Sequence, residues 1–337
     1  MSLLKAPRAL LVVTALWLGL VVPASAYLKF GITINGVSQT LRWRTMPVRY
    51  FVSDGLAVPN VTITQFSDTV ARAFSTWEAV PMSSIRFERA GFTSARPSDD
   101  DSISVLGFEN RPELDRVLGS TSFTFDVQRG EIVEADIFFN AAFQWSTATG
   151  GEANRFDLES IALHEIGHLV GLGHSALGET EPRPTGGRRV IGAEAVMFPI
   201  AFGPGNIDAR RLRADDVAGV SDLYPDGGFN RDTGSVSGRI LKSGAGVFGA
   251  HVVAYNIRTG QMVGTFTLNN NGDFAIAGLE PGPFVIRAEP LDDGDLESFF
   301  NNGTNVDLNF QVTYAERLAI VPAGGDAPGI NVTVRAK

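Results

Sequence analysis

An α+β unit followed by an all-β unit is what this sequence predicts, and three observations carry the expectation. Phe66, Val70, Phe74 and Trp77 recur at spacings of four, four and three. That is one face of a helix. Val48, Tyr50 and Val52 alternate with Arg49 and Phe51, the period of a half-buried strand. Beyond the Pro- and Gly-rich stretch Pro225 to Gly234 the pattern changes. Apolar runs there are short, and Asn271-Gly272 and Pro281-Gly282 separate them as hairpin turns would.

The chain has 337 residues, which suits two domains at about 100–200 residues each. With 44% hydrophobic residues it can fill two cores. Its formal charge is −9 and no basic run follows residue 26. That balance excludes nucleic acid and anionic membrane surfaces as main partners. There are no cysteines, so stability does not rest on disulfides.

Residues 1–26 have the build of a secretory signal peptide. Lys5 and Arg8 precede an apolar run from Ala9 to Val22, and Ala24-Ser25-Ala26 fits the cleavage rule, which makes Tyr27 the mature N-terminus. An uncleaved anchor is the other reading, but the run is short of the roughly 20 residues a span needs. The mature protein is therefore expected to be secreted, into the extracellular space or a periplasm, with no stable membrane insertion. Pro47 to Val52 forms the first clear strand. Thr62-Ile63-Thr64-Gln65 is a capping box opening the first helix, which Pro81 stops after Val80. Ile85 to Phe87 and Ile103 to Val105 are short strands. The acidic Ser98 to Ser102 between them has two readings, a solvated loop or a calcium site, since hard cations take carboxylate oxygens. Leu118 to Phe125 and Ile132 to Phe139 form a strand pair turning at Gln128-Arg129-Gly130. Asp157 caps a second helix, with Glu159 in its first turn to suit the helix dipole.

That second helix carries His164-Glu165-Ile166-Gly167-His168, and Gly171 and His174 follow. Three of the chain's four histidines lie here. His164 and His168 are four apart, so both project from one helix face. Two imidazoles placed so can share one ion at about 2.0–2.1 Å each. Glu165 sits about 100° further round, where it reaches a water rather than the ion. Gly171 ends the helix because glycine tolerates positive φ, and the chain turns to bring His174 back as a third ligand. Three protein ligands leave a fourth position open, which marks a catalytic zinc site. A plain amphipathic helix with surface histidines explains each residue singly but not all of them at these offsets.

The eleven residues from His164 to His174 resemble the metzincin metalloprotease signature, and Ser175 after the third histidine resembles the matrixin (matrix metalloproteinase-like) branch. Ala195-Val196-Met197-Phe198-Pro199 is similar to that branch's Met-turn, with Met197 under the metal. The resemblance implies a metzincin fold, a twisted mixed sheet with core helices. It also implies that Gly119 to Phe123 is the edge strand along which an extended polypeptide substrate lies, and that Phe198 to Phe202 line the specificity pocket. The second structural zinc of animal matrixins is not expected, because its histidines are missing. Nor is their cysteine-based latency. Leu212 to Tyr224 matches the family's closing helix. One aspartate of that helix pairs with the mature N-terminus in some matrixins; for Asp215 and Asp216 a water-exposed position at the helix start is the favoured reading. Gly178 to Gly187 is expected as a surface excursion. Gly238-Arg239-Ile240, Asn271-Gly272-Asp273-Phe274 and Gly278 to Gly282 resemble a carboxypeptidase regulatory-like β-sandwich. Asp292 to Gly303 reads as a polar loop of it, and His251 as a structural or surface histidine.

The organisation expected is thus a signal peptide at 1–26, a matrixin-like zinc protease domain at 27–225, a linker at 226–234 and a β-sandwich at 235–337. The function expected is a secreted zinc metalloendopeptidase, with metal ligands His164, His168 and His174 and Glu165 as general base. A non-catalytic binding or adhesion protein that works through the sandwich is the alternative.

Overall fold

The computed structural model describes residues 12–13, 28–34, 37–184, 186–300 and 303–337. Except for Val12 and Val13, the expected signal segment and Tyr27 lie outside the described residues. No helix among the described residues is long and apolar enough to cross a membrane.

The first half is built on a mixed sheet. In chain order its strands are β1 (Val48–Ser53), β2 (Phe87–Thr93), β3 (Ser104–Glu109), β4 (Gly119–Asp126) and β5 (Glu131–Asn140). Across the sheet the order is β4-β5-β3-β1-β2. Neighbours are parallel except β4, which runs antiparallel to β5. Beyond β4, among the described residues, Val12–Val13 pair antiparallel with Phe123 and Thr124. Val48, Tyr50 and Val52 face the core, as the alternation requires. Helix α1 (Ile63–Glu78) has its capping box at Thr62, and Phe66, Val70, Phe74 and Trp77 are its buried stripe. Helix α2 (Leu158–Leu169) is capped by Asp157, whose carboxylate accepts from Ser160 N–H at 3.0 Å and from the Arg210 guanidinium. A core of Phe66, Trp77, Phe139, Trp145, Ile166 and Met197 joins sheet to helices.

Two stretches are more tightly held than expected. Gly178 to Gly187 is a surface excursion, as expected, but an ordered one. It belongs to a hairpin of β6 (Gly178–Pro182) and β7 (Arg188–Ala193). Thr180 ties this hairpin to Asp293, its N–H donating to Oδ1 at 3.0 Å and its hydroxyl to the Asp293 carbonyl at 2.8 Å. Asp215 and Asp216 open α3 (Ala214–Leu223), and both are buried rather than exposed to water. Asp216 accepts from the Val196 and Met197 N–H groups at 2.9 and 3.2 Å and from Arg213 N–H at 2.8 Å. Asp215 accepts from Gly264 N–H at 2.8 Å. The Arg213 bond is ordinary helix-start capping, but Val196, Met197 and Gly264 lie 20, 19 and 49 residues away, so helix-end chemistry does not foretell them.

After the short helix α4 (Phe229–Asp232), which buries Phe229, the chain is mostly β. One sheet is centred on β8 (Gly234–Lys242) and the other on β9 (His251–Asn256), which lies between β10 (Met262–Phe266) and β12 (Gly282–Glu289). Strand β11 (Asp273–Leu279) pairs antiparallel with β8. Val236, Ile240, Phe274, Ile286 and Phe310 form the core between the sheets. His251 is buried and its Nδ1 lies 2.9 Å from Glu289 Oε1, a structural role. The two halves share apolar ground: Ala176 packs with Phe266, Phe299 and Phe300, and Leu177 and Ala195 with Val253.

Candidate metal centre

Helix α2 is held from three directions before it presents any ligand. Its terminal carbonyls have no partner inside the helix. Trp43 Nε1–H donates to the Leu169 carbonyl at 2.8 Å, and the Tyr224 hydroxyl donates to the Val170 carbonyl at 2.7 Å. Trp77 Nε1–H reaches the Leu163 carbonyl at 2.9 Å. Gly171 then takes φ +101°, and Leu172 N–H closes back on the Gly167 carbonyl at 3.0 Å. The turn that the sequence predicted at Gly171 is therefore present, and it delivers His174 beside the helix.

The three histidines meet. Their candidate ligand atoms all lie within 4.8 Å of one another. Each ring is oriented by a backbone carbonyl. His164 Nδ1 is 2.8 Å from Val196 O, His168 Nδ1 is 2.8 Å from Leu172 O and His174 Nδ1 is 2.7 Å from Ser298 O. Since a carbonyl only accepts, each Nδ1 carries the proton and each Nε2 presents a lone pair. His168 Nε2 and His174 Nε2 stand 3.2 Å apart. Two nitrogens bound tetrahedrally at about 2.05 Å are separated by about 3.3 Å. The donor set, its tautomers and its spacing thus fit a zinc ion. Burial, above all, holds all three imidazoles below their usual range, His174 down to about 3. They are therefore neutral at pH 7, as ligands must be.

Glu165 is buried beside the triad, on the side facing β4. The Thr121 hydroxyl lies 2.7 Å from its Oε2 and 3.0 Å from its carbonyl oxygen. A Cβ at Gly119 would stand 3.2 Å from Glu165 Cγ and Oε1, so glycine there lets the strand pass over the carboxylate. Desolvation pushes the Glu165 carboxyl up to about 7, and the Thr121 bond partly offsets it.

Met197 lies under the helix. A Cβ at Gly167 would fall 2.1 Å from its sulfur, so the pair is in closest contact. Ser175 N–H donates to the Met197 carbonyl at 2.8 Å, and the Ser175 hydroxyl bonds Asp215. The cleft above the triad holds about 580 Å³, with Phe198 to Phe202 in its wall as the resemblance implied. Sequence reasoning missed two contributors. Thr121 gave no signal, being one threonine in a run of Ser and Thr. Ser298 acts through its carbonyl, which every residue has; only the pair Phe299-Phe300 within a polar stretch marked the loop as more than solvated. The expected acidic loop has Asp99, Asp100 and Asp101 exposed.

Comparison with known proteins agrees with this geometry. The family model described as Matrixin matches residues 42–181. Metalloendoproteinase 1-MMP of Arabidopsis thaliana is 29% identical over 232 residues, covering 66% of this chain and 54% of that protein. Metalloendoproteinase 4-MMP of Arabidopsis thaliana is 29% identical over 196 residues, covering 54% of this chain and 48% of that protein. Matrix metalloproteinase-20 of Homo sapiens is 27% identical over 193 residues, covering 54% of this chain and 32% of that protein. The chain thus spans about half the length of the first two and a third of the last. The match contains the whole triad: residues 42–181 are similar to a matrixin domain, and His164, His168 and His174 within them form a catalytic zinc site.

Proposed function

We propose that this protein is a secreted zinc endopeptidase that cuts extended polypeptides, with Glu165 as its general base. One observation carries the reading: three carbonyl-locked imidazoles converge beside a buried carboxylate, on the floor of a cleft bordered by a strand edge. When bound, zinc supplies Lewis-acid polarisation of the scissile carbonyl and acidifies water.

The protein's own groups do the rest. Strand β4 offers main-chain donors and acceptors to an extended peptide. The pairing of Val12–Val13 with Phe123 and Thr124 supports the edge as a place where a strand can add. Thr121 holds Glu165 Oε2, which leaves Oε1 to accept a proton from the attacking water and return it to the leaving amine nitrogen. A carboxyl near 7 is suited to both transfers at neutral pH. Phe198, Ile200 and Phe202 make the pocket beyond the Met-turn apolar and select apolar side chains. The domain plan of protease 27–225, linker 226–234 and carboxypeptidase regulatory-like sandwich 235–337 is supported by one main core in each half, with Ala218 of the first half packed into the second.

The test is cleavage of casein by the purified chain beside Glu165→Ala, with bound zinc measured in both. Cleavage by the wild type alone, with about one zinc in each, is the expected outcome. Zinc in both without cleavage of any protein substrate would favour the binding-protein alternative.

A further inference from the structure

The third ligand takes the carbonyl at its Nδ1 from the other half of the chain. His164 and His168 find their carbonyls within 32 and 4 residues, but His174 reaches 124 residues ahead to Ser298. Ser298 closes the single 3-10 turn Leu296–Ser298 in the loop after β12. That turn is preorganised: Ser298 N–H donates to the Asp295 carbonyl at 2.9 Å, and Phe299 and Phe300 N–H both donate to the Leu296 carbonyl, at 3.0 and 2.8 Å. Its outgoing carbonyl is left for the imidazole. Phe299 and Phe300 are 3% and 7% exposed and anchor the turn. Both rings pack on Phe266 at 5.6 and 5.3 Å, and Phe299 stands 6.4 Å from the His174 ring. The hairpin β6–β7 clamps the loop from the other domain through Thr180 and Arg188, which bond Asp293 and Asp292. Phe248, Phe299 and Phe300 continue into the wall of the same cleft as Glu165.

We propose that the C-terminal β domain is part of the protease site: its Leu296–Phe300 turn positions His174 through the Ser298 carbonyl, and its Phe248, Phe299 and Phe300 form an apolar subsite for the substrate at the His174 end of the cleft. The first half of this rests on the zinc site alone; the second rests on the endopeptidase reading. Ser298 is a positioning residue, since it acts on the ligand's other nitrogen. Loss of such a partner costs 10–100-fold in metal affinity.

The experiment uses the full chain with residues 295–300 replaced by Gly and Ser, and, as a milder variant that keeps the turn, Phe299→Ala. Zinc affinity is measured by chelator competition, and the visible spectrum is recorded after cobalt substitution. Peptide-mixture cleavage is profiled in parallel. The loop replacement is expected to weaken zinc binding 10–100-fold and to change the cobalt bands, with Phe299→Ala shifting both the same way to a smaller extent. Preference for bulky apolar residues at one subsite falls in both, while preference at the pocket beyond Met197 stays. If the replacement unfolds the chain, Phe299→Ala decides. Zinc affinity within twofold of wild type, unchanged cobalt bands and an unchanged cleavage profile overturn the proposal. A thermal destabilisation with those readouts unchanged also overturns it, as that is a merely structural contact. A wild type that binds zinc but cleaves nothing defeats the endopeptidase reading and the subsite with it, and leaves the positioning role to the metal measurements.

Discussion

Thr121 on β4 and Glu165 on α2 are joined by a 2.7 Å hydrogen bond from hydroxyl to carboxylate, so the strand that would carry substrate also holds the proposed base. Thr121→Val removes the one bond that lowers the Glu165 carboxyl against the effect of burial. Its pKa must then rise. The base works deprotonated, so the acid limb of kcat/KM against pH is expected to move to higher pH. An unmoved limb would show that Thr121 has no hold on the base.

Glu165→Gln keeps shape and removes proton acceptance. General base catalysis contributes about 10²–10⁴-fold. Peptidase activity should fall by that order while zinc content, read by metal analysis, stays near wild type.

Asp216 gathers three N–H donors from two segments, Val196 and Met197 on one side and Arg213 on the other. Asp216→Ala strands those buried donors, each costing about 1–3 kcal/mol when unpaired. A loss of several degrees or more in Tm and weaker zinc retention are expected, because His164 leans on the Val196 carbonyl. Asp216→Asn should lie between the two.

Gly167→Ala tests the floor of the site. The added methyl falls on Met197 sulfur and 3.0 Å from Trp77, and overpacking of this kind costs about 1–3 kcal/mol. Lower Tm together with faster zinc loss to a chelator is the expected pair of results. Met197→Ala in the same chain should restore part of both, because the obstructing sulfur is gone.

Burial, then Asp216 beside it, pushes the Asp215 carboxyl up to about 7 from 3.8. Below 3.8 both folded and unfolded chains hold that proton. Between about 4 and 7 the folded chain holds it more tightly, so this group's contribution to stability declines as pH rises. Above 7 the full penalty is in place. Asp215→Asn has no such penalty and its amide oxygen still accepts from Gly264. The Tm difference, variant minus wild type, should therefore increase from pH 4 to pH 8. A flat difference would show that Asp215 is solvated rather than buried.

What could be read from the sequence was local. The α1 stripe, the Asp157 cap, the turn at Gly171 and the triad each lie within one or two turns of chain, where residue spacing maps directly onto a face. Met197 was legible only through its resemblance, since a core methionine has the same chemistry. The partners that complete the site were not legible: Thr121 lies 44 residues from Glu165, Asp216 19 from Met197 and Ser298 124 from His174. Two of those use backbone groups, which no residue type advertises. The β6–β7 hairpin was missed for another reason. Its strands hold Gly, Pro and charge in place of alternating apolar residues, because most of its surface faces water.

The Ser298–His174 bond also sets an order of events. Synthesis runs from the N-terminus, so all three zinc ligands leave the ribosome well before the carbonyl that steadies the last of them. A chain whose β domain has not yet folded lacks the Ser298 carbonyl at the Nδ1 of its third imidazole. Full assembly of the metal centre therefore reports that residues up to 298 have been made and folded, and the nascent chain acquires its complete site last.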